Sequence, residues 1–300
     1  MTTMIKRTIT ISSPSHLSLD RGQLVVYNKD IDQARTLPIE DIGYLLLEND
    51  RITLTLPLIR CCLEQNVGVI VCDDRHLPIG SLLTLSGHEL TGKRVRLQAE
   101  PSKPLVKQLW RRVVVSKINN QADLVRCRDT ACALRLKELA REVLSGDSTN
   151  REGAAARQYW CALMDPDFCR DREGAFPNEL LNYGYAILRA ITARAIVGSG
   201  LSPEIGLFHH NQYNALPLAD DLMEPYRPFV DEIVLSLTVT GSTALDKVAR
   251  GRLIQVSCTE VSIGGLVRPI QLAMSMTTAS LAKCYEQGKA DELLLPSFVT

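Results

Sequence analysis

The run Gly206–Glu224, GLFHHNQYNALPLADDLME, carries two adjacent histidines, His209 and His210, and then three acids, Asp220, Asp221 and Glu224. The chain has only five histidines, so two side by side upstream of its tightest carboxylate cluster invite a chemical reading. Neighbouring side chains on a helix or tight turn diverge by about 100°. Only one of the two histidines can therefore face a given site, and nothing local says which. Asp220 and Glu224 share a face of a helix expected to start near Leu218, and Asp221 also neighbours Glu224. Carboxylates this close repel unless a cation neutralises them. Arg227 could do so in an ion pair; a bound metal is the alternative. Pro225 has no amide to donate to the Asp221 carbonyl, so the helix must bend or break there. Imidazole and carboxylates without a thiolate suit Mg²⁺ or Mn²⁺ better than a structural zinc ion, and the histidine tilts the choice slightly toward Mn²⁺.

One more acid stands where a helix would favour its charge. In Asp147–Arg157, DSTNREGAAAR, Asn150 is a suitable N-cap, which puts Glu152 in the first turn. There the helix dipole favours the ionised carboxylate. Gly153 and Ala154–Ala156 carry almost no bulk, so another element can approach this helix closely. Alone, Glu152 reads more simply as a capping glutamate on a small-residue packing helix.

Charge adds a second hint. The chain is neutral overall, with 34 Lys/Arg against 34 Asp/Glu, but residues 91–130 carry ten basic side chains against three acidic ones. Lys93, Arg94, Arg96, Lys103, Lys107, Arg111, Arg112 and Lys117 crowd this segment. Local rather than global charge governs phosphate binding, so Arg94, Arg96, Lys107, Arg111 and Arg112 are candidate DNA contacts, against the plainer reading of a solvated helix face. Taken with the acidic and histidine residues, the basic stretch points toward phosphodiester chemistry.

These residues need a scaffold of some size. Three hundred residues, 45% hydrophobic and 23% charged, fit a soluble globular chain with one large or two ordinary domains. No apolar run approaches the roughly 20 residues of a membrane span, and MTTMIKRTITI lacks a signal-peptide core. Nine cysteines form no CxxC pair and sit in apolar surroundings, which argues against a zinc ribbon and for a reducing, cytoplasmic location.

Up to about residue 88 the periodicity is strand-like. Arg7–Ile11 alternates; Leu17 and Leu19 lead through a turn at Asp20–Gly22 to Leu24–Tyr27; Asp41–Glu48 and Arg51–Leu56 are further strands. Pro57 opens a helix that ends before Gly68, and VGVIVCDD reads as a buried strand. A nucleotide-binding βαβ unit is the rival reading, but neither GxGxxG nor GxxxxGK[ST] occurs where it would be needed. Pro78, Gly80, Gly87 and Gly92 suggest a linker. Helical periodicity follows over 105–125, 129–145, 151–164, 178–199, 218–234, 243–250 and 273–289. The expected class is α+β: a small β-rich, sandwich-like domain with one helix over 1–88, then a larger all-α catalytic domain over 89–300.

Four ordered stretches carry a resemblance to a known family. Asn150–Trp160 (NREGAAARQYW) resembles the "EGxAAxxYW/F" signature of the CRISPR adaptation integrase, the Cas-one protein, and Pro177–Tyr185 (PNELLNYGY) is similar to its "NALLNYGY" stretch. Gly206–Gln212 (GLFHHNQ) and Leu218–Pro228 (LADDLMEPYRP) look like its last two motifs, in the form of the type II branch. Leu37–Ile42 and Val71–Pro78 fit the same branch. Glu179 and His210 depart from the usual pattern; the second stands where arginine is common, and could alter a DNA contact.

The resemblance implies that Glu152, His209 and Glu224 hold a divalent metal, Mg²⁺ or Mn²⁺. It implies spacer acquisition: the 3′-hydroxyl of a prespacer attacks the leader-repeat in a metal-assisted transesterification, with endonuclease activity beside it. The implied partners are double-stranded DNA, a second copy of the chain joined through the N-terminal domain, the small Cas-two protein in a heterohexamer, and further type II CRISPR proteins. A free-standing metal-dependent nuclease on branched DNA, and a non-catalytic DNA-binding scaffold, are the alternatives.

Overall fold

The structure is a computed structural model that describes residues 6–84, 88–165, 167–171 and 173–299. The chain separates into two compact units, Met1–Leu85 and Ser86–Thr300.

The first unit holds two four-stranded sheets and one helix. Strands β2 (Ser15–Asp20), β3 (Gln23–Asn28) and β4 (Gln33–Pro38) form an antiparallel meander, and β6 (Thr53–Leu54) pairs in parallel with β2. The β2–β3 hairpin turns on Arg21 and Gly22, both at positive φ (46° and 77°), as the two central residues of a twist-matched hairpin turn must be. The second sheet runs β1 (Arg7–Ile11), β5 (Ile42–Leu47), β7 (Gly68–Cys72), β8 (Pro78–Leu82), with the first three parallel and β8 antiparallel. Every residue of β5 is buried, which explains why IGYLLL shows no alternation. Helix α1 (Leu56–Glu64) carries Pro57 in its first turn and buries Leu58 and Cys62 in one cluster with Leu17, Leu24, Ile42, Leu45 and Val69, drawn from both sheets.

One expectation for this unit needs correction, and one strand went unexpected. Pro78 and Gly80 belong to β8 rather than to a linker; the bulge between Val71 and Cys72 lets a proline sit at the strand's start. Strand β4 has no periodic signature because it is an edge strand, largely exposed. The β5–α1–β7 connection is a βαβ crossover in topology, without a glycine-rich phosphate loop.

The second unit is helical around α3 (Lys103–Val125), which buries Leu109, Trp110, Val113, Val114, Lys117, Ile118, Asn120 and Gln121. Helices α4 (Thr130–Arg141) and α5 (Arg151–Leu163) pack on it, as does the 3-10 turn Glu224–Tyr226. A second layer is built on α6 (Asn178–Gly198), which meets α7 (Pro217–Met223), α8 (Arg227–Val239), α9 (Lys247–Ile254) and α10 (Ile270–Gln287). A Cβ on Gly184 would lie 2.4 Å from Val230 Cγ1, so α6 and α8 approach through the missing side chain. The single helix expected over 218–234 is interrupted at Glu224–Pro225, where the sequence placed the break.

This unit is not all-α. Strands β9 (Glu260–Ile263) and β10 (Leu266–Pro269) form a hairpin on Gly264 and Gly265, at φ 56° and 77°. A two-glycine turn between short apolar runs is a strong hairpin signal, here hidden between helical stretches. Gly92 lies inside a further helix, α2 (Thr91–Ala99), rather than in a linker, and Gly87 is outside the described residues.

Candidate active site

The three carboxylates of the Asp220–Glu224 cluster part company, each to its own counter-group. Asp220 turns to α6, where Arg189 Nε and Nη2 donate to it at 2.6 and 3.2 Å and Asn214 Nδ2 at 2.8 Å. Asp221 is fully buried and turns to the loop before α7. Its Oδ2 accepts the amides of Leu207 (2.6 Å) and Phe208 (3.1 Å), and its Oδ1 faces His209 Nδ1 at 2.6 Å. A Cβ on Gly206 would lie 2.6 Å from the His209 carbonyl and 3.0 Å from Asp221 Oδ2, so only glycine lets this loop fold around the carboxylate. Glu224 takes the third direction, toward α3 and α8. Like-charge repulsion along the cluster is thereby removed before any ligand is considered.

Glu224 opens the 3-10 turn and is 3% exposed. Arg227 Nη2 contacts its Oε1 at 3.0 Å, and Lys117 Nζ lies 2.5 Å from its Oε2. The second contact is an ion pair without hydrogen-bond direction, so Oε2 is buried with charge beside it and no well-aimed donor. Burial pushes the Glu224 carboxyl up, but Arg227, Lys117 and His209 together hold it below its ordinary value.

The same lysine reaches Glu152. Asn150 caps α5 from a left-handed conformation, φ 51°, its Oδ1 accepting the Gly153 amide at 3.2 Å, while Asp147 Oδ2 accepts the Glu152 amide at 3.0 Å. A Cβ on Gly153 would collide with the Asn150 cap, 2.8 Å from its Oδ1, which accounts for the glycine following the glutamate. Glu152 Oε1 receives Lys117 Nζ at 2.6 Å. Two contacts of 2.6 and 2.5 Å meeting at one nitrogen put the two carboxylate oxygens no more than about 5 Å apart. Burial pushes the Lys117 ammonium toward neutrality, yet the Glu224 and Glu152 carboxylates outweigh it and hold its pKa above the ordinary lysine value.

His209 is the histidine that belongs to this constellation. Its Nδ1 is committed to Asp221, which leaves Nε2 as the atom a ligand would meet, the usual carboxylate–histidine arrangement of a metal-binding imidazole. The hydrogen bond to Asp221 raises its pKa against the opposing effect of burial. Phe208 stacks in parallel on Trp110 of α3, with ring centroids 4.5 Å apart, and both rings meet the imidazole edge-on. His210 is exposed.

Two carboxylates bracketing a cation, an imidazole with one nitrogen free of Asp221, and a buried oxygen with no directed donor form a donor set suited to a hard divalent ion. Among the described residues, no three His, Cys, Asp or Glu side chains already converge as a metal cage. The cation that joins Glu152 to Glu224 is Lys117.

Spacing did not single out Lys117, and it showed Asp221 as a member of the acidic cluster but not as the partner of His209. Lys117 counts among the basic segment by composition, but it follows Val113 and Val114 by four and three residues on the apolar stripe of α3, and that position signals burial. The proposed DNA contacts are scattered. Arg94 is held by Glu286, His88 and the Ser199 carbonyl; Arg111 donates to the Val143 carbonyl at 2.7 Å; Arg112 donates to the Leu293 carbonyl at 3.0 Å. Arg96 and Lys107 are exposed. A groove of about 620 Å³ beside α3 is lined by Arg111, Arg112, Asn119 and Lys137, and none of Glu152, His209 or Glu224 lines it.

Residues 9–252 match the family model described as CRISPR associated protein Cas1. The CRISPR-associated endonuclease Cas1 of Neisseria meningitidis serogroup C is 39% identical over 239 residues, covering 79% of this chain and 78% of that protein. The chain belongs to the Cas1 family. Among solved structures, a casposase bound to integration product superposes with a TM-score of 0.76 at 20% identity, over 95% of this chain and 92% of that one. A chain of a Cas6-RT-Cas1–Cas2 complex superposes with a TM-score of 0.74 at 18% identity, over 99% of this chain and 37% of that one. Both share a fold with this protein, mixed α/β with a β-rich beginning and a helical remainder.

Proposed function

We propose that this protein is a metal-dependent DNA integrase of CRISPR spacer acquisition, of the type II branch, joining prespacer 3′-hydroxyl ends to the leader-repeat by transesterification and also cleaving DNA. The observation that carries the reading is the bracket of Glu152 and Glu224 around one cation, with His209 oriented beside it by Asp221. Relatives named as Cas1 endonucleases and a structural neighbour captured with an integration product support the class of reaction.

Glu152, His209 and Glu224 are the residues that would hold Mg²⁺ or Mn²⁺. When bound, the ion supplies a Lewis acid for a phosphoryl oxygen and a site for the attacking hydroxyl. Asp221 holds His209 Nδ1, which leaves Nε2 as the nitrogen for a ligand. Arg227, half-buried with Nη2 3.0 Å from Glu224 Oε1, favours the ionised form of that carboxylate. Of the five candidate DNA contacts, Arg96 and Lys107 are exposed and remain the proposed phosphate contacts, whereas Arg94, Arg111 and Arg112 donate to backbone carbonyls of the fold. The partners proposed are a second copy of the chain, joined through a sandwich-like N-terminal unit, and the small Cas2 protein named in the neighbouring complex. No helix among the described residues is long and apolar enough to cross a membrane, and a cytoplasmic location is part of the reading.

A strand-transfer assay tests it, with a 3′-hydroxyl prespacer, a leader-repeat target, Cas2 and Mg²⁺ or Mn²⁺. Joined products are expected from the wild type, with loss to background in chelator and in Glu152→Ala, His209→Ala or Glu224→Ala. Equal joining by the alanine variants would refute the site. Cleavage without joining would identify a nuclease instead.

A further inference from the structure

Among the described residues Lys117 is the one buried lysine, and its ammonium sits between the two carboxylates proposed as ligands. A lysine on the apolar stripe of a central helix is costly to bury unless its charge is met. Here it is met twice, at 2.6 Å by Glu152 and at 2.5 Å by Glu224. Two neighbours pin the helix on either side of it: Asn120, one turn on, donates to the Pro225 carbonyl at 2.8 Å, and Trp110, two turns back, is stacked on Phe208. The backbone that carries Lys117 is therefore fixed beside the two acids, while its four-carbon stem can still turn the ammonium away.

We propose that Lys117 is a tethered counter-cation that competes with a divalent ion for Glu152 and Glu224 and must withdraw for that ion to bind. The inference rests on the reading of Glu152, His209 and Glu224 as the metal site. Three facts on this chain carry it. The ammonium touches both carboxylates, so an ion bridging the same oxygens competes for the same space. Glu224 already has Arg227 on its other oxygen, so the pair of carboxylates with Lys117 and Arg227 is balanced in charge, and adding two positive charges without removing one would leave an excess in a buried site. The Glu152 side chain is 24% exposed against 4% for Glu224, so the contact to Glu152 is the more screened by solvent and the easier to give up. Lys117 thus keeps two acids from repelling each other and sets the concentration at which the ion replaces it.

Mn²⁺ binding to the full-length protein, followed by the loss of the free-ion paramagnetic resonance signal, tests this without recourse to activity. Lys117→Met is expected to bind Mn²⁺ about tenfold more tightly than the wild type, the size of a typical coupling between two competing ligands. Affinity that is unchanged or weaker would overturn the proposal. A second measurement needs no variant: reductive methylation of Lys117 in the wild type, read by mass spectrometry, should be slow in chelator and several-fold faster at saturating Mn²⁺. An equal rate in both conditions would also overturn it. Glu152→Gln and Glu224→Gln separate the two levels. If the wild type binds Mn²⁺ and these variants do not, the metal site stands and only the role of Lys117 is in question. If the wild type binds none, the site reading itself has failed.

Discussion

Glu224 and Asp231 are two buried carboxylates seven residues apart, and the fold treats them in opposite ways. Glu224 receives two cations, Lys117 and Arg227, and is held below the ordinary pKa of 4.5 although burial pushes it up. Asp231 receives two phenols, Tyr159 at 2.6 Å and Tyr185, and burial pushes its carboxyl up to about 6 despite them. Hydrogen bonds from neutral donors satisfy the lone pairs of a carboxylate without cancelling its desolvation cost; opposite charge does both. The acid assigned to chemistry is the one whose ionised form the fold favours. The acid assigned to packing ties α5, α6 and α8 together through its two tyrosines.

The sharpest break of that contrast is Lys117→Met in chelator. Removing one partner from a buried charge network leaves Glu152 and Glu224 facing each other, at an expected cost of about 3–5 kcal/mol. Urea unfolding measures it; a loss under about 1 kcal/mol, the scale of a surface pair, would mean that the carboxylates find other cations.

The pH dependence of stability then separates the two acids by sign. The folded pKa of Glu224 is lowered, so its contribution is present above about 4.5 and is lost as pH falls. The folded pKa of Asp231 is raised, so its contribution is full below the ordinary 3.8 and is lost as pH rises through about 6. Asp231→Asn should therefore remove a downward slope between about pH 4 and pH 6, worth about 2–3 kcal/mol at one pH unit per 1.4 kcal/mol. Glu224→Gln in metal-free protein should remove an upward one. Slopes of the same sign in denaturant titrations would contradict the contrast.

Asp221 is the intermediate case, a buried carboxylate held by backbone amides and an imidazole. Asp221→Asn keeps the size but changes which His209 nitrogen carries the proton. Mn²⁺ affinity should fall about 10–100-fold, as for other partners that orient a ligand histidine. A smaller drop in calorimetric titration would show that Phe208 and Trp110 alone orient the ring.

The motif residues were legible in the sequence because their spacing is set by local structure. Asn150 caps the turn that carries Glu152, and Pro225 ends the helix at Glu224. The partners of those residues were not, because they come from elsewhere. Lys117 lies on α3, 35 residues before Glu152, and only the packing of α5 and the 3-10 turn on α3 brings the three together. The division of labour among Asp220, Asp221 and Glu224 was equally hidden, since it depends on Arg189 from α6 and on the amides of Leu207 and Phe208. Helix α2, the edge strand β4 and the β9–β10 hairpin are short or exposed, and their sequences carry too few buried positions to show a period.

Asn120 joins two carbonyls with one amide: Pro225, beside Glu224, at 2.8 Å, and Pro296, in the segment after α10, at 3.1 Å. Ser116 donates to the same Pro296 oxygen at 3.2 Å, and Phe298 stacks on Phe229 of α8 with centroids 4.3 Å apart. The stretch around residues 293–298 is thus stitched to the helix that carries Lys117 and to the helix that carries Arg227. Anything that loosens this stretch therefore loosens both helices at once, and with them the two cations that meet on Glu224.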